Sequence, residues 1–327
     1  MQGSLLVISL DFELFWGVRD KRTIENYGAN VRGVRQVIPS LVELFEKYGI
    51  SATFATVGFL FSRNRNELLN FVPGEKPAYH LSKHSPYEDN YLSTVGYSEE
   101  DDIYHYAESL IKILQQSPQQ EIASHTFSHY YCLEGASLVS FEQDIQAAKA
   151  IASTHGIELK SIVFPRNQYS KEHIDICKKL GLISYRGNEA SKIYNPRQNN
   201  EQSKLIRATR LGDSYVNITG HHSFRPKEEN GIINIPASRF LRPYFPRLKS
   251  LESLRLHRIK SSMSYAAKKG ECYHLWWHPH NFGVNLKENL SLLESILKHY
   301  QMLHGEHGMQ SKTMRQIAEE ILQPYAV

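Results

Sequence analysis

The chain alternates short apolar runs with segments of helical periodicity, and this alternation constrains its fold more than any other feature of the sequence. Seven runs are typical of buried strands, and they lie at Ser4–Leu10, Ser51–Val57, Glu121–Ser124, Lys160–Phe164, Leu182–Tyr185, Ile232–Ile235 and Cys272–Trp277. Strands that alternate with helices indicate βαβ units and a largely parallel sheet. We therefore expect an α/β protein built as an irregular (β/α) barrel of about seven parallel strands. An open doubly wound sheet is the alternative.

Between and after these runs, the spacing of apolar residues predicts helices. They are expected at 30–48, 98–116, 138–154, 170–180, 249–269, 286–302 and 311–322. Ser98 and the acidic residues after it resemble a helix start. No repeat or linker interrupts the pattern, and residues 187–230 are polar and irregular. We expect a single catalytic domain over residues 1–327, with an irregular basic insertion at about 187–260.

Composition limits the class of protein. The 327 residues are 41% hydrophobic and 22% charged, as in ordinary globular proteins. The first apolar run lacks a basic leader and a small-residue cleavage site, so we expect no signal peptide and a cytoplasmic location. Three widely spaced cysteines fit a reducing compartment. The chain lacks dinucleotide-binding, P-loop and nucleic-acid-binding signatures, and its net charge of +4 does not by itself imply a nucleic-acid partner.

Polar clusters follow four of the predicted strands. The clusters are Asp11 with Glu13, His125 with His129, Arg166 with Asn167, and His278 with His280 and Asn281. In parallel α/β proteins the carboxyl ends of the strands face one crevice, where catalytic residues gather. We therefore expect these four clusters to meet in one site.

Glu13, His125 and His129 have the side chains of a metal site. Two imidazoles and one carboxylate bind zinc or a similar divalent ion and leave positions open for reaction. The alternatives are a pair of hydrogen-bonded core histidines and a solvated strand end. The histidine spacing alone is weak evidence, because His80 and His84 repeat it in a stretch that reads as a surface loop.

The other clusters suggest acid–base chemistry. Asp11, two residues before Glu13, projects to the same side of a strand and is placed to take a proton. Arg166 beside such a carboxylate would hold it ionised, and His278 is a sensible general acid. Trp276 and Trp277 would form a sugar-stacking wall or exclude water. The alternatives are a surface arginine, core tryptophans and histidines that merely end a strand.

Positive charge is concentrated late in the chain. Seven basic residues and one acid lie between Arg239 and Lys260. The segment Arg239–Phe245 combines arginines with aromatic residues, which suits contact with an anionic pyrophosphate or an anionic membrane surface. The alternative is a solvated helix face with a loop.

In their order, the clusters resemble the motifs of the NodB-homology polysaccharide deacetylases, similar to carbohydrate esterase family 4. The resemblance covers roughly residues 4–283. Asp11 matches the family's catalytic base, and Glu13 takes the ligand position of relatives with a D-x-E motif. His125-Thr126-Phe127-Ser128-His129 matches the H-[ST]-x-x-H motif fully. Arg166 matches the arginine motif, and Leu275 through His278 match the closing motif, with His280 as the alternative acid.

The resemblance implies a metal-dependent hydrolase that removes N-acetyl groups from amino sugars. Glu13, His125 and His129 would hold a divalent ion, most commonly zinc, whose bound water attacks the amide carbonyl. Asp11 would act as base, His278 as acid and Arg166 as the partner of Asp11. A cytoplasmic location would favour a nucleotide-linked or lipid-linked sugar as substrate. The alternatives are a barrel hydrolase that opens a cyclic amide or ureide and a catalytically silent glycan-binding module.

Overall fold

A computed structural model describes residues 3–194 and 204–322, and ten strands within these ranges form one sheet. The strands are β1 (Leu5–Phe12), β2 (Ala52–Thr56), β3 (Glu121–Ser124), β4 (Ser161–Ile162), β5 (Ser184–Tyr185), β6 (Lys227–Glu229), β7 (Ile232–Asn234), β8 (Arg239–Phe240), β9 (Cys272–Trp277) and β10 (Gln310–Ser311). Their order is β6-β7-β5-β4-β3-β2-β1-β9-β8, and β10 pairs with the start of β1. The β6–β7 pair is antiparallel and the others are parallel.

The sheet curls into a half-barrel with helices packed around it, which confirms the predicted irregular (β/α) barrel. Each of the seven predicted strands is present. All eight residues of β1 are buried, because this central strand has neighbours on both sides and helices outside.

Ten α-helices lie within the described ranges. They are α1 (Ile24–Tyr48), α2 (Arg65–Asn70), α3 (Tyr91–Thr94), α4 (Glu108–Gln115), α5 (Leu138–Thr154), α6 (Lys171–Lys179), α7 (Lys204–Asp213), α8 (Glu252–Lys269), α9 (Leu286–His307) and α10 (Met314–Leu322). A capping box at Thr23 begins α1, and Gly49 in the left-handed conformation ends it. No helix among these residues is long and apolar enough to cross a membrane.

The helix predicted at 98–116 begins only at Glu108. The preceding residues form a turn around Asp102, whose carboxylate accepts hydrogen bonds from the backbone N–H groups of Gly96 and Tyr104, each at 3.0 Å. Aspartate readily satisfies nearby backbone donors in this way, so it favours turns over helix interiors. The acidic run after Ser98 is therefore a loop and not a first helical turn.

Part of the predicted basic insertion, residues 195–203, lies outside the described residues. The remainder contributes β6, β7 and β8 to the sheet and α7 and the first half of α8 to its surroundings. The single domain and the bounds of this insertion stay predictions. Cys132, Cys177 and Cys272 are buried free thiols.

A close contact between two glycines fixes α1 against the segment that follows β9. A β carbon at Gly33 would lie 2.1 Å from the carbonyl oxygen of Gly283, which is closer than any side chain tolerates. Next to this contact, the Asn30 side chain donates a hydrogen bond to the carbonyl oxygen of His280 at 3.3 Å. Helix α1 thus supports the histidine cluster that follows β9.

Candidate active site

A cavity of about 880 Å³ opens at the carboxyl ends of the parallel strands. Side chains from all four predicted clusters contribute to its walls. They are Asp11 and Glu13, His129, Arg166 and Asn167, and His278, His280 and Asn281. The sheet has therefore brought together clusters that are more than 260 residues apart in the chain.

Glu13, His125 and His129 converge on one point beside this cavity. The Oε2 atom of Glu13 lies 3.4 Å from Nε2 of His125 and 3.0 Å from Nε2 of His129. All three side chains are buried, and their candidate ligand atoms lie within 4.8 Å of one another. The predicted trio is therefore a spatial cluster.

The loop that carries the two histidines is shaped by a buried carboxylate on α5. Asp144 accepts hydrogen bonds from the backbone N–H groups of Phe127, at 2.6 Å, and Ser128, at 3.1 Å. Thr126 and His129 adopt positive φ angles of 63° and 58°, which cost about 1–2 kcal/mol per residue for an L side chain. The bonds to Asp144 help to offset this cost, so the histidine loop depends on α5 for its shape.

Both histidines have surroundings that suit a metal ligand. Nδ1 of His125 lies 2.8 Å from the carbonyl oxygen of Val163, so Nδ1 carries the proton and Nε2 keeps its lone pair. Burial lowers the pKa of His129 to about 4, which leaves this imidazole neutral at pH 7. Neutral imidazole is the form that binds metal ions.

These residues fit a divalent ion. Zinc binds histidine nitrogens and carboxylate oxygens at about 2.0–2.2 Å, so ligand atoms in a tetrahedral shell lie roughly 3–3.5 Å apart. The separations of 3.0 and 3.4 Å within the trio have that size.

Gly17 makes room for the carboxylate of this trio. A β carbon at this position would lie 1.9 Å from Cδ of Glu13 and about as close to both of its carboxylate oxygens. Any other residue would displace Glu13 from the two histidines. Gly17 therefore has a positioning role that periodicity in the sequence does not reveal.

The partner of Asp11 is Arg186 and not the predicted Arg166. Nη1 and Nη2 of Arg186 donate to the two oxygens of Asp11 at 2.6 and 2.8 Å, and Arg186 is 1% exposed. Burial alone would raise the pKa of Asp11, but the charge and hydrogen bonds of Arg186 lower it below its ordinary value. Arg186 directly follows β5, so strand ends alone offer both Arg166 and Arg186 as candidate partners of Asp11.

Arg166 lies in the same cavity but serves another network. Its guanidinium pairs with Asp20 and with Glu134, and it stacks over the ring of Tyr131 at 3.7 Å. Arg166 and Asn167 have positive φ angles of 56° and 53°, and from this turn the Arg166 side chain reaches Asp20 and Glu134. The expectation that Arg166 contacts Asp11 is therefore wrong for this structure.

His278 lies between the two acids at the mouth of the site. Its Nε2 atom is 3.7 Å from Oδ2 of Asp11 and 3.8 Å from Oε1 of Glu13. The side-chain amide of Asn281 lies 3.3 Å from Nδ1 of His278. Nε2 of His278 is therefore the ring nitrogen that faces the cavity.

His280 has a different environment. It is buried, and its Nδ1 atom lies 3.7 Å from Oε1 of Glu13 without a hydrogen-bond partner among the described residues. Burial lowers the pKa of His280 to about 3. A neutral, enclosed imidazole is a weaker candidate for the acid than the partly exposed His278.

The two tryptophans at the end of β9 have different environments. Trp276 lines the cavity beside Phe240, with ring centroids 4.8 Å apart, whereas Trp277 is fully buried against Phe282. Successive residues of β9 point to opposite faces, so only one of the two tryptophans can reach the cleft.

His84, which was expected in a surface loop, is buried and lines the cavity near Asp20.

The curled parallel sheet and the Glu13–His125–His129 cluster define a (β/α) barrel with a candidate divalent-metal centre at its carboxyl end. The sequence model of the polysaccharide deacetylase family matches residues 28–184. The matched segment, just under half of the chain, confirms the resemblance to the NodB-homology polysaccharide deacetylases that the motifs predicted. No curated protein matches the chain by sequence.

Several solved structures share the fold. A Mycobacterium smegmatis protein assigned as a polysaccharide deacetylase superposes with a TM-score of 0.63 at 10% identity, over 100% of this chain and 92% of its own. A Pseudomonas aeruginosa protein with the same assignment gives 0.58 at 10% identity, over 99% and 92%. The PuuE allantoinase gives 0.55 at 10% identity, over 99% and 93%. At these identities the similarities establish the fold.

Proposed function

We propose that this protein removes the acetyl group from the nitrogen of an amino sugar, with a divalent ion held by Glu13, His125 and His129. The observation that carries the proposal is the convergence of this trio on one point while Asp11 and His278 lie beside it in the same cavity. A bound divalent ion, zinc by resemblance to the family, would polarise the amide carbonyl and acidify a water molecule.

Asp11 would act as the base. Its carboxylate is held ionised and oriented by the two hydrogen bonds from Arg186, so it can accept a proton from the attacking water. Arg186 is in turn fixed by Ser9, which accepts a bond from its Nη1 at 3.0 Å, and by the ring of Trp276 at 4.2 Å. This buried network would keep the base in place through the reaction.

His278 would act as the acid. An amine leaves an acyl carbon poorly unless its nitrogen is protonated, and His278 presents Nε2 to the region between Asp11 and Glu13. Its contact with Asn281, whose Oδ1 lies 3.4 Å from the hydroxyl of Tyr27, holds the ring in this orientation. Trp276 and Phe240 would form the wall on which the sugar ring stacks.

The proposal is tested by acetate release from acetylated amino sugars. Asp11→Asn should keep zinc at about one ion per chain and lose most turnover, because the ion and the base are separate groups. Asp175→Asn, at an exposed aspartate on α6 that pairs with Lys171, is the control and should retain activity. An Asp11→Asn variant with full activity would rule out the assigned roles.

A second activity is the hydrolysis of a cyclic ureide, because the PuuE allantoinase has the same fold. The same side chains could open such a ring. We favour the amino-sugar substrate, since the deacetylase family model matches residues 28–184 and a cavity of about 880 Å³ is large for a small ureide. Ring opening of allantoin without acetate release from any sugar would select the second activity.

The nature of the sugar follows from the cavity's outer walls. Basic side chains that line the cavity include Lys21, Arg22, Lys83 and Arg242. A nucleotide-linked or lipid-linked amino sugar would carry the negative charge that such a wall attracts. We propose this class of substrate in preference to docking of segment Arg239–Phe245 on a membrane, since Arg239 is buried and Arg242 faces the cavity.

A further inference from the structure

The cavity wall beside Trp276 is rich in arginine. Arg239 and Arg242 line the cavity. The buried Arg255 and Arg258 lie next to them, since Arg255 donates to the carbonyl oxygen of Arg242 and Arg258 shares Asp213 with Arg239. Two carboxylates pair with them among the described residues, Asp213 and Glu252. Burying unbalanced charge is costly, and such charges are usually paired with an ion of opposite sign.

The two carboxylates are already engaged. Asp213 pairs with Arg239 at 2.9 Å and lies 3.7 Å from Arg258, and Glu252 pairs with Arg255. Asp213 also accepts hydrogen bonds from the hydroxyl of Tyr194 and the backbone of residues 218 and 219. Little capacity remains on either acid to neutralise a further cation.

Among the described residues, Arg242 is the arginine of this group that has no carboxylate partner. It is half-buried and lines the cavity, and no carboxylate contacts it within residues 3–194 and 204–322. Burial lowers the pKa of Arg242 from its ordinary value. Beside it, Nε and Nη2 of the buried Arg239 have no hydrogen-bond partner among the described residues.

This wall is continuous with the proposed catalytic groups. Strand β8 pairs in parallel with β9 so that Phe240 lies opposite Trp276. Phe240 in turn contacts His278, with ring centroids 5.9 Å apart. Arg239 and Arg242 therefore flank the aromatic wall on which a sugar ring would stack, on the side of the proposed acid.

We propose that Arg242, assisted by Arg239, binds an anionic group on the substrate, a phosphate or carboxylate attached to the amino sugar. This assignment rests on the proposed function, since it places the sugar at the Trp276–Phe240 wall. Arginine suits the task because its planar guanidinium donates two parallel hydrogen bonds to such an oxyanion. Charge-assisted bonds of this kind discriminate against a neutral sugar by about tenfold or more.

Calorimetry of zinc-loaded protein in an Asp11→Asn background tests the assignment, because the proposed base is then missing and the acetyl group should stay on the ligand. The ligands are N-acetylglucosamine, N-acetylglucosamine 1-phosphate and N-acetylmuramic acid. We expect one or both anionic sugars to bind about tenfold more tightly than the neutral one. The stronger of the two identifies the anion as phosphate or carboxylate.

Three variants test whether Arg242 causes the preference for the anionic sugar. Arg242→Gln should remove the preference for the anion and Arg242→Lys should keep part of it, while Arg247→Gln, at an exposed arginine outside the cavity, should keep all of it. Equal binding of charged and neutral sugars, or a preference that survives Arg242→Gln, would overturn the assignment. An Arg242-dependent preference in a protein that releases no acetate from any of these sugars would instead refute the deacetylase proposal and leave the anion site standing.

Discussion

Arg186 binds Asp11 through two parallel hydrogen bonds, at 2.6 and 2.8 Å, between groups that lie 175 residues apart in the chain. The pair is buried and belongs to a network in which Ser9 and Asn167 accept further bonds from the same guanidinium. Removing one partner of such a pair leaves an uncompensated charge, so we expect Asp11 to depend on Arg186 for both its orientation and its ionisation.

Arg186→Gln should therefore shift the acidic limb of the pH–rate profile to higher pH. Loss of the guanidinium raises the pKa of Asp11, so a higher pH is needed to ionise the proposed base. Turnover at pH 7 should fall by roughly 100-fold. Steady-state acetate release between pH 4 and 9 measures both effects. Arg166→Gln is the control. If the acidic limb of the profile moves in Arg166→Gln and stays in place in Arg186→Gln, the pairing of Arg186 with Asp11 is misassigned.

Gly17→Ala should weaken metal binding, although residue 17 is not one of the proposed metal ligands. Its β carbon would need the space now filled by the Glu13 carboxylate, so Glu13 must move away from His125 and His129. We expect a loss in zinc affinity of roughly 10–100-fold, as for other changes that disturb ligand orientation. Competition with a chelating dye measures it.

Gly305→Ala is the matched control for this change. Gly305 lies in α9, and a β carbon there meets no atom within 4 Å. This variant should bind zinc like the wild type and be slightly more stable, because alanine favours the helix. Equal affinities in the two variants would argue against a positioning role for Gly17.

Asp144 should make the stability of the fold depend on pH. Burial raises its pKa to about 7 from an ordinary value of 3.8, so the folded state holds this proton more tightly than the unfolded state. The contribution to stability is complete below about pH 4 and is lost as the pH rises through 7. Relative to Asp144→Asn, the wild type should lose up to about 1.4 kcal/mol of unfolding free energy per pH unit in this range. Urea denaturation of both proteins at each pH measures these free energies. If the unfolding free energies of the wild type and of Asp144→Asn change with pH in parallel, the prediction is contradicted.

His278→Asn should impair the amide reaction far more than that of an activated ester. An amine needs a proton to leave, whereas p-nitrophenolate leaves without one, so removal of the acid should slow only the first reaction, by roughly 100-fold or more. Rates with an N-acetyl amino sugar and with p-nitrophenyl acetate, measured on one preparation, give the comparison. If His280→Asn shows the selective loss instead, His280 is the acid.

Much of the fold was predictable because buried strands and amphipathic helices impose their periodicity on the sequence. The runs at Ser4–Leu10 and Cys272–Trp277 became neighbouring central strands, and their polar ends met as expected. Sequence reasoning failed where a side chain competes for the backbone, as Asp102 does before α4. Local chemistry of this kind leaves no periodic signal.

The candidate active site was also predictable in part. The Glu13 trio could be assembled from strand ends alone, but the partner of Asp11 could not, because two arginines follow adjacent strands. Only the backbone conformation after β4 decides between them, since it directs Arg166 towards Asp20 and leaves Asp11 to Arg186. The supporting roles of Gly17 and Asp144 depend on contacts in three dimensions.

Zinc titration of metal-stripped protein, followed by calorimetry, is the decisive test of the proposed metal site. We expect one ion bound per chain in the wild type and a loss of most of that affinity in Glu13→Gln and in His129→Gln, with Gly305→Ala unaffected. Wild-type protein that binds no zinc, or variants of Glu13 and His129 that bind it as tightly as the wild type, would contradict it.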